Sequence, residues 1–176
     1  MIKNIFLDID ETLIHSAYRK FNEDYRNDAL TLSFLNMSPD VYTYVRPCAA
    51  KVIAAARALV GSDNVYILTT STREYAKQVN EGAGWNFNND SIFTREDLRD
   101  AYMNGVTIPH HTLADSNNVI VDNLPPKYNE SKMAFIGIDQ TRYLQVRDYF
   151  GTTDDETESV FYERVVDFLQ QKYQES

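Results

Sequence analysis

The sequence predicts an α/β fold, a parallel sheet covered by helices on both faces, and three observations carry that expectation. Short apolar runs rich in β-branched and aromatic residues recur along the chain, as buried strands require. Stretches of good helix formers lie between them, with polar caps before and glycines after. Strands and helices alternate through most of the chain, the order that a parallel sheet demands.

Residues 2–9 form the first apolar run and read as a buried strand. Residues 14–40 are polar and aromatic without clean periodicity, and Ser38-Pro39-Asp40 is a turn signal. Residues 41–45 have strand composition. Pro47 suits the first turn of an alanine-rich helix over 48–60, which Gly61 stops. A second buried strand is expected over 65–69. Ser71 or Thr72 then caps a helix with Tyr75, Ala76 and Val79 on one face, ending near Gly82. Residues 91–94 read as a third strand, and Thr94 as the cap of a helix from Arg95 to about residue 104. Residues 118–121 make a fourth strand, stopped by Asp122-Asn123-Leu124-Pro125-Pro126, and 133–138 a fifth. A final helix over 156–173 has Val160, Phe161, Val165, Phe168 and Leu169 as its inner stripe. The whole of 1–176 reads as one domain, and 14–45 as a small insertion after the first strand.

Bulk properties narrow the function classes. The 43% apolar content suffices for a sizeable core. A formal net charge of −9 disfavours extended nucleic-acid binding, which needs a basic face. Cys48 is the one cysteine, so no intrachain disulfide forms, as suits a reducing compartment. The first apolar run is too short for a signal peptide, and no segment reaches the ~18 apolar residues of a membrane span. The expectation is a cytoplasmic protein without membrane contact.

In a sheet of this kind, sites form at the carboxyl ends of strands. Three such ends carry compatible chemistry. Asp8-Ile9-Asp10-Glu11-Thr12 follows the first, and strand alternation puts Asp8 and Asp10 on one face. Two carboxylates so close repel and favour a bound cation, and hard oxygen ligands suit magnesium. Leu68-Thr69-Thr70-Ser71 follows the second, where hydroxyls and helix N-terminal amides make an anion site. Asp122-Asn123 at the fourth offers further oxygens to the same cation.

The run Phe6-Leu7-Asp8-Ile9-Asp10-Glu11-Thr12-Leu13-Ile14-His15-Ser16 resembles the first motif of the haloacid dehalogenase superfamily. More narrowly it is similar to the small phosphatases of the RNA polymerase II C-terminal domain, the NLI-interacting-factor-like group. Val45-Arg46-Pro47, Leu68 to Ser71 with Tyr75-Ala76, and Val121-Asp122-Asn123 resemble later features of that family in the right order. The resemblance spans roughly residues 3 to 170 and implies a Rossmann-like sheet. It implies Asp8 as a nucleophile that forms an aspartyl-phosphate, and Asp10 as the acid and base. It implies phosphate contacts from Thr12, Thr69 and Thr70, and Mg2+ held by Asp8, the Asp10 carbonyl and the Asp122-Asn123 pair. The substrate it implies is a phosphopeptide carrying phosphoserine or phosphothreonine, or else a phosphorylated small molecule.

One family feature is not found where expected. The family places a phosphate-binding lysine between its second and fourth motifs, and no lysine occurs between Lys77 and Lys127. Arg95 is the best substitute, standing at a helix start with a planar fork suited to phosphate. Arg99, His110, His111 and Lys127 are weaker candidates. His110-His111 lacks the further cysteine or spaced histidine of a zinc site and reads as a solvated loop. Cys48 reads as a packing residue, and His15 as structural. Two other functions stay open at this point. One is a nucleotidase or polynucleotide-end phosphatase, suggested by Phe93-Thr94-Arg95. The other is a non-catalytic module that only binds phosphorylated ligands, against which the intact Asp8 and Asp10 argue.

Overall fold

The computed structural model describes residues 1–18, 30–32, 41–103, 113–152 and 154–175. His110, His111 and the Ser38-Pro39-Asp40 turn lie outside those residues. Five strands form the main sheet: β1 (Ile5–Leu7), β5 (Val65–Leu68), β6 (Ile92–Phe93), β7 (Val119–Asp122) and β8 (Tyr143–Gln145). Their spatial order is β6-β5-β1-β7-β8, and every pairing is parallel. β1 therefore lies at the centre, with β5 and β7 on either side, so three strand ends open at one edge of the sheet.

Alternation along β1 assigns its side chains to two faces. Ile5 and Leu7 pack with Val65, Ile67, Val119 and Val121 beneath α1 (Ala49–Val60) and α5 (Glu158–Gln174). Phe6 points the other way, with Leu68, Phe93 and Ile120 against Phe135 and Ile136 of α4 (Glu130–Ile136). Each of these side chains contributes roughly 1.5–3 kcal/mol by leaving water. The sheet is covered on both faces, as the sequence predicts. α2 (Arg73–Ala83) is capped by Thr72, whose hydroxyl accepts from the Tyr75 amide, and ends at Gly84 rather than Gly82. α3 (Arg95–Met103) starts beside it.

After β1 comes a separate three-stranded antiparallel sheet, β2 (Ile14–Ala17), β3 (Leu30–Leu32) and β4 (Val41–Val45), in the order β2-β4-β3. Its strands fall within the stretch 14–45. Among the described residues, no helix is long and apolar enough to cross a membrane.

Two expectations are corrected. Residues 133–138 do not form a strand; most belong to α4, which Gly137 ends at φ +77°. A Cβ at Gly137 would also approach the Asp115 amide nitrogen to 2.9 Å, so the helix stop and the close packing both require glycine. The last strand is instead β8, too short to show a period. In α5 the inner stripe is Phe161, Val165 and Leu169 with Phe168 partly buried against the core, whereas Val160 is 44% exposed, because four-residue steps from Phe161 define the buried line.

Candidate active site

Asp8 leaves the end of β1, and its amide donates to the Val121 carbonyl, continuing the sheet for one residue. The chain then turns sharply, with Glu11 at φ +57°. Outside groups fix this turn: Arg46 Nη1 donates to the Thr12 carbonyl at 2.7 Å, and the Tyr149 amide to the Glu11 carbonyl at 2.7 Å. The Arg46 guanidinium lies 3.5 Å from the centre of the Phe161 ring, tying the turn to α5.

The Asp8 carboxylate is 6% exposed as a residue and has a partner on each oxygen. Thr12 Oγ1 donates to Oδ2 at 2.9 Å, and Lys132 Nζ to Oδ1 at 2.8 Å. Lys132 also donates to Asp122 Oδ2 at 2.7 Å, and its side chain is 2% exposed. Burial works to lower the Lys132 pKa, but the two facing carboxylates outweigh it and hold the ammonium charged. Burial pushes Asp8 up to about 7, against the pull of Lys132 and with help from Asp122. Two buried carboxylates thus face one ammonium.

Asp10 is held differently. Ser71 Oγ donates to its Oδ2 at 2.6 Å and the Tyr75 hydroxyl to its Oδ1 at 2.7 Å. Asp8, Asp10, Thr70, Asn123, Lys132 and Asp148 line a cavity of about 320 Å3, with the exposed Leu124 and Phe150 at its rim. Asn123 is oriented by its Nδ2–H donating to Asp148 Oδ1 at 2.8 Å and its amide donating to Thr12 Oγ1 at 3.0 Å.

Several expected residues stand elsewhere than their assigned roles require. Thr12, expected to bind phosphate, is fully buried, its hydroxyl shared among Asp8 and Asn123. Thr69 is buried too, and its hydroxyl accepts the Ser71 amide at 3.0 Å at the approach to α2. Thr70 does line the cavity. Asp122 is buried and turned inward, one oxygen on Lys132 and the other on the Leu124 amide at 2.9 Å, so it holds the lysine rather than facing the cavity. The cation beside Asp8 is not Arg95. Arg95 is exposed, donates through Nε to the Thr70 carbonyl at 2.9 Å, and lines a neighbouring cavity of about 460 Å3. Arg99 and Lys127 are exposed.

Lys132, Tyr75 and Asp148 are the groups that sequence reasoning missed as site residues, and Ser71, expected among the anion-site hydroxyls, bonds Asp10. For Lys132 a signal existed: Lys132, Phe135 and Ile136 have helical spacing and precede Gly137, which marks a buried helix face carrying a lysine. Cys48 is buried, and burial together with Glu158 pushes its thiol up to about 12, as suits a packing residue.

The donor set fits a hard cation. Asp8, Asp122 and Lys132 sum to one net negative charge in a buried setting, and Asn123 and Asp10 line the cavity beside them. Among the described residues no three His, Cys, Asp or Glu side chains gather closely enough to hold an ion by themselves. An ion here would draw on amide and backbone oxygens and on water, a pattern that suits magnesium.

A central β1 with paired aspartates at its end, flanked by polar ends of β5 and β7, makes an α/β domain similar to the haloacid dehalogenase type. The chain belongs to the NLI interacting factor-like phosphatase family, whose family model matches residues 3–174. Among curated proteins no relative matches. The fold is similar to that of a variant of fission yeast RNA polymerase II CTD phosphatase Fcp1 bound to beryllium fluoride. That match has 17% identity and a TM-score of 0.54, and covers 97% of this chain and 51% of that one. A second structure of Fcp1, described as an essential RNA polymerase II CTD phosphatase, matches at 18% identity and TM-score 0.53, covering 97% and 50%. The chain spans about half the length of these structures, and the likeness carries the fold.

Proposed function

We propose that the chain hydrolyses phosphomonoesters through an aspartyl-phosphate on Asp8. The observation that carries this reading is the buried Lys132, bonded to Asp8 and Asp122 and lining a polar cavity. Such a cation neutralises the approach of a nucleophilic carboxylate to a phosphate dianion. An Asp8 oxygen attacks phosphorus in line, the bond from phosphorus to the ester oxygen breaks, and Asp10 delivers its proton to that oxygen. Asp10 then takes a proton from water as the water oxygen attacks phosphorus. The bond to Asp8 breaks, releasing inorganic phosphate. Magnesium, held by Asp8, Asn123 and the Asp10 carbonyl, would supply positive charge against the phosphoryl oxygens.

A phosphoserine or phosphothreonine peptide is the substrate class this reading favours. Family membership supports it, as does the similarity to structures described as CTD phosphatases. The larger neighbouring cavity, walled by Ser16, Ala17 and Tyr18 of the insertion side and by Ser71, Tyr75 and Arg95, adds room for residues flanking the phosphate.

The test is hydrolysis of p-nitrophenyl phosphate, with magnesium and with EDTA, by the wild type and by Asp8→Asn. Turnover that needs magnesium and vanishes in Asp8→Asn is the expected result. A wild type that binds a phosphate mimic yet never turns over would sink the enzyme reading and leave a phospho-ligand-binding module.

A further inference from the structure

Both oxygens of Asp10 are held from outside its own strand. Ser71, just before α2, reaches one oxygen at 2.6 Å, and Tyr75, one turn into α2, reaches the other at 2.7 Å. The contacts continue. The Tyr75 hydroxyl lies 2.6 Å from Ser16 Oγ on β2, and Ser16 Oγ lies 2.8 Å from Thr43 Oγ1 on β4, its cross-strand partner. The four groups of this chain belong to three parts of the fold: Asp10 to the sheet edge, Tyr75 to α2, and Ser16 with Thr43 to the insertion sheet.

Donor inventory gives the chain a direction. A carboxylate only accepts, so the single hydroxyl proton of Tyr75 goes to Asp10. The Tyr75 oxygen then accepts from Ser16, and the Ser16 oxygen from Thr43. Each Asp10 oxygen uses one lone pair in this way and keeps another for a transferred proton.

We infer that Tyr75 and Ser71 are positioning residues that aim the Asp10 carboxyl at the leaving oxygen, and that Ser16 and Thr43 tie that aim to the insertion sheet. The inference rests on the reading of Asp10 as the acid of a phosphatase. It gives the insertion a part in proton delivery, beyond walling a cavity. Misaimed general acids lose most where the leaving oxygen most needs a proton, which separates aiming from plain loss of structure.

The experiment measures kcat and KM of the wild type, Tyr75→Phe, Ser71→Ala and Ser16→Ala on p-nitrophenyl phosphate and on phenyl phosphate, whose leaving group is far poorer. Tyr75→Phe should lose about ten-fold more kcat on phenyl phosphate than on p-nitrophenyl phosphate, with KM unchanged, a part of the range that general acids supply. Ser71→Ala should behave alike, Ser71→Thr should restore the ratio, and Ser16→Ala should shift it in the same direction by less. Equal losses on the two esters, or a change in KM alone, would overturn the inference. A second readout needs no turnover. The Tyr75 hydroxyl proton, identified in NMR spectra by its loss in Tyr75→Phe, should move upfield in Asp10→Asn as a charge-assisted bond becomes neutral. An unmoved proton overturns the inference. If the wild type is inert on both esters the phosphatase reading fails, and this proton still decides whether Tyr75 holds Asp10.

Discussion

Asp8 and Asp10 leave the same strand end two residues apart, yet the molecule surrounds them with opposite chemistry. Around Asp8 the partners are charged and buried: Lys132 from α4, Asp122 from β7, and the Thr12 hydroxyl between them. Around Asp10 they are neutral hydroxyls at half-buried positions, drawn from α2 and the residues just before it and linked to the insertion sheet. The difference matches the two tasks proposed for Asp8 and Asp10. A nucleophile must keep its charge in a dry setting and gains from a fixed cation. A group that gives and takes a proton must change charge every cycle, and hydroxyls that can turn accommodate both forms.

Removing Lys132 should break this contrast most severely. Lys132→Met leaves Asp8 and Asp122 buried without a cation, and loss of one partner of a buried pair costs about 3–5 kcal/mol. kcat/KM should fall by about a thousand-fold, the scale of one preorganised charge. Urea unfolding of Lys132→Met beside the double variant Asp8→Asn/Lys132→Met tests the charge argument directly. The double variant buries one carboxylate fewer and should be the more stable of the two.

Replacing Asp8 should have the opposite effect on stability. Asp8 titrates near 7 when folded, against 3.8 for the free side chain. Between those values the folded protein binds more protons than the unfolded chain, so this group erodes stability as pH rises and imposes its full cost above about 7. Asp8→Asn mimics the neutral carboxyl and leaves Lys132 balanced by Asp122. In EDTA it should be more stable than the wild type at pH 8, by on the order of 2–4 kcal/mol, with the gap closing towards pH 4. Denaturant titrations at both pH values check this, and a gap that widens on acidification would refute the charge assignment. Thr12→Val should come next. It leaves the buried Asn123 amide without its acceptor at a cost of about 1–3 kcal/mol, readable as a lower urea midpoint.

How much of this was legible in the sequence follows the same division. β1, β5 and β7 announce themselves as apolar runs ending in polar residues, and strand alternation is enough to bring Asp8 and Asp10 to one edge. Lys132 was hidden because Met133-Ala134-Phe135-Ile136 is too short an apolar run to tell strand from helix by composition. Read as a strand it separates Lys132 from the site, and read as a helix it aims Lys132 at β1. Ser71 and Tyr75 were visible as a cap candidate and a helix-face residue. Their bonds to Asp10 depend on how α2 sits against the turn after β1, a tertiary fact without a local signature. The short β8 and the inward turn of Asp122 are likewise set by neighbours such as Lys132 and the Leu124 amide.

Arg95 supplies the mildest and most discriminating test of the comparison. As the stand-in for a family lysine it would touch the phosphate, and its loss would cripple turnover of every ester. In the fold it stands on the far side of Thr70, exposed, with one side-chain bond to a backbone carbonyl and its flank on the larger cavity. An exposed bond of this kind contributes no more than ~1 kcal/mol, which corresponds to about a five-fold change in rate. Arg95→Ala should therefore change kcat on p-nitrophenyl phosphate by less than about five-fold, while raising KM for a phosphopeptide that extends into the larger cavity. Steady-state kinetics on the two substrates separate the cases. A collapse of kcat on the small ester would return Arg95 to the phosphate and make Lys132 a structural counter-ion, whereas a peptide-only effect divides the work between the two cavities as their linings suggest.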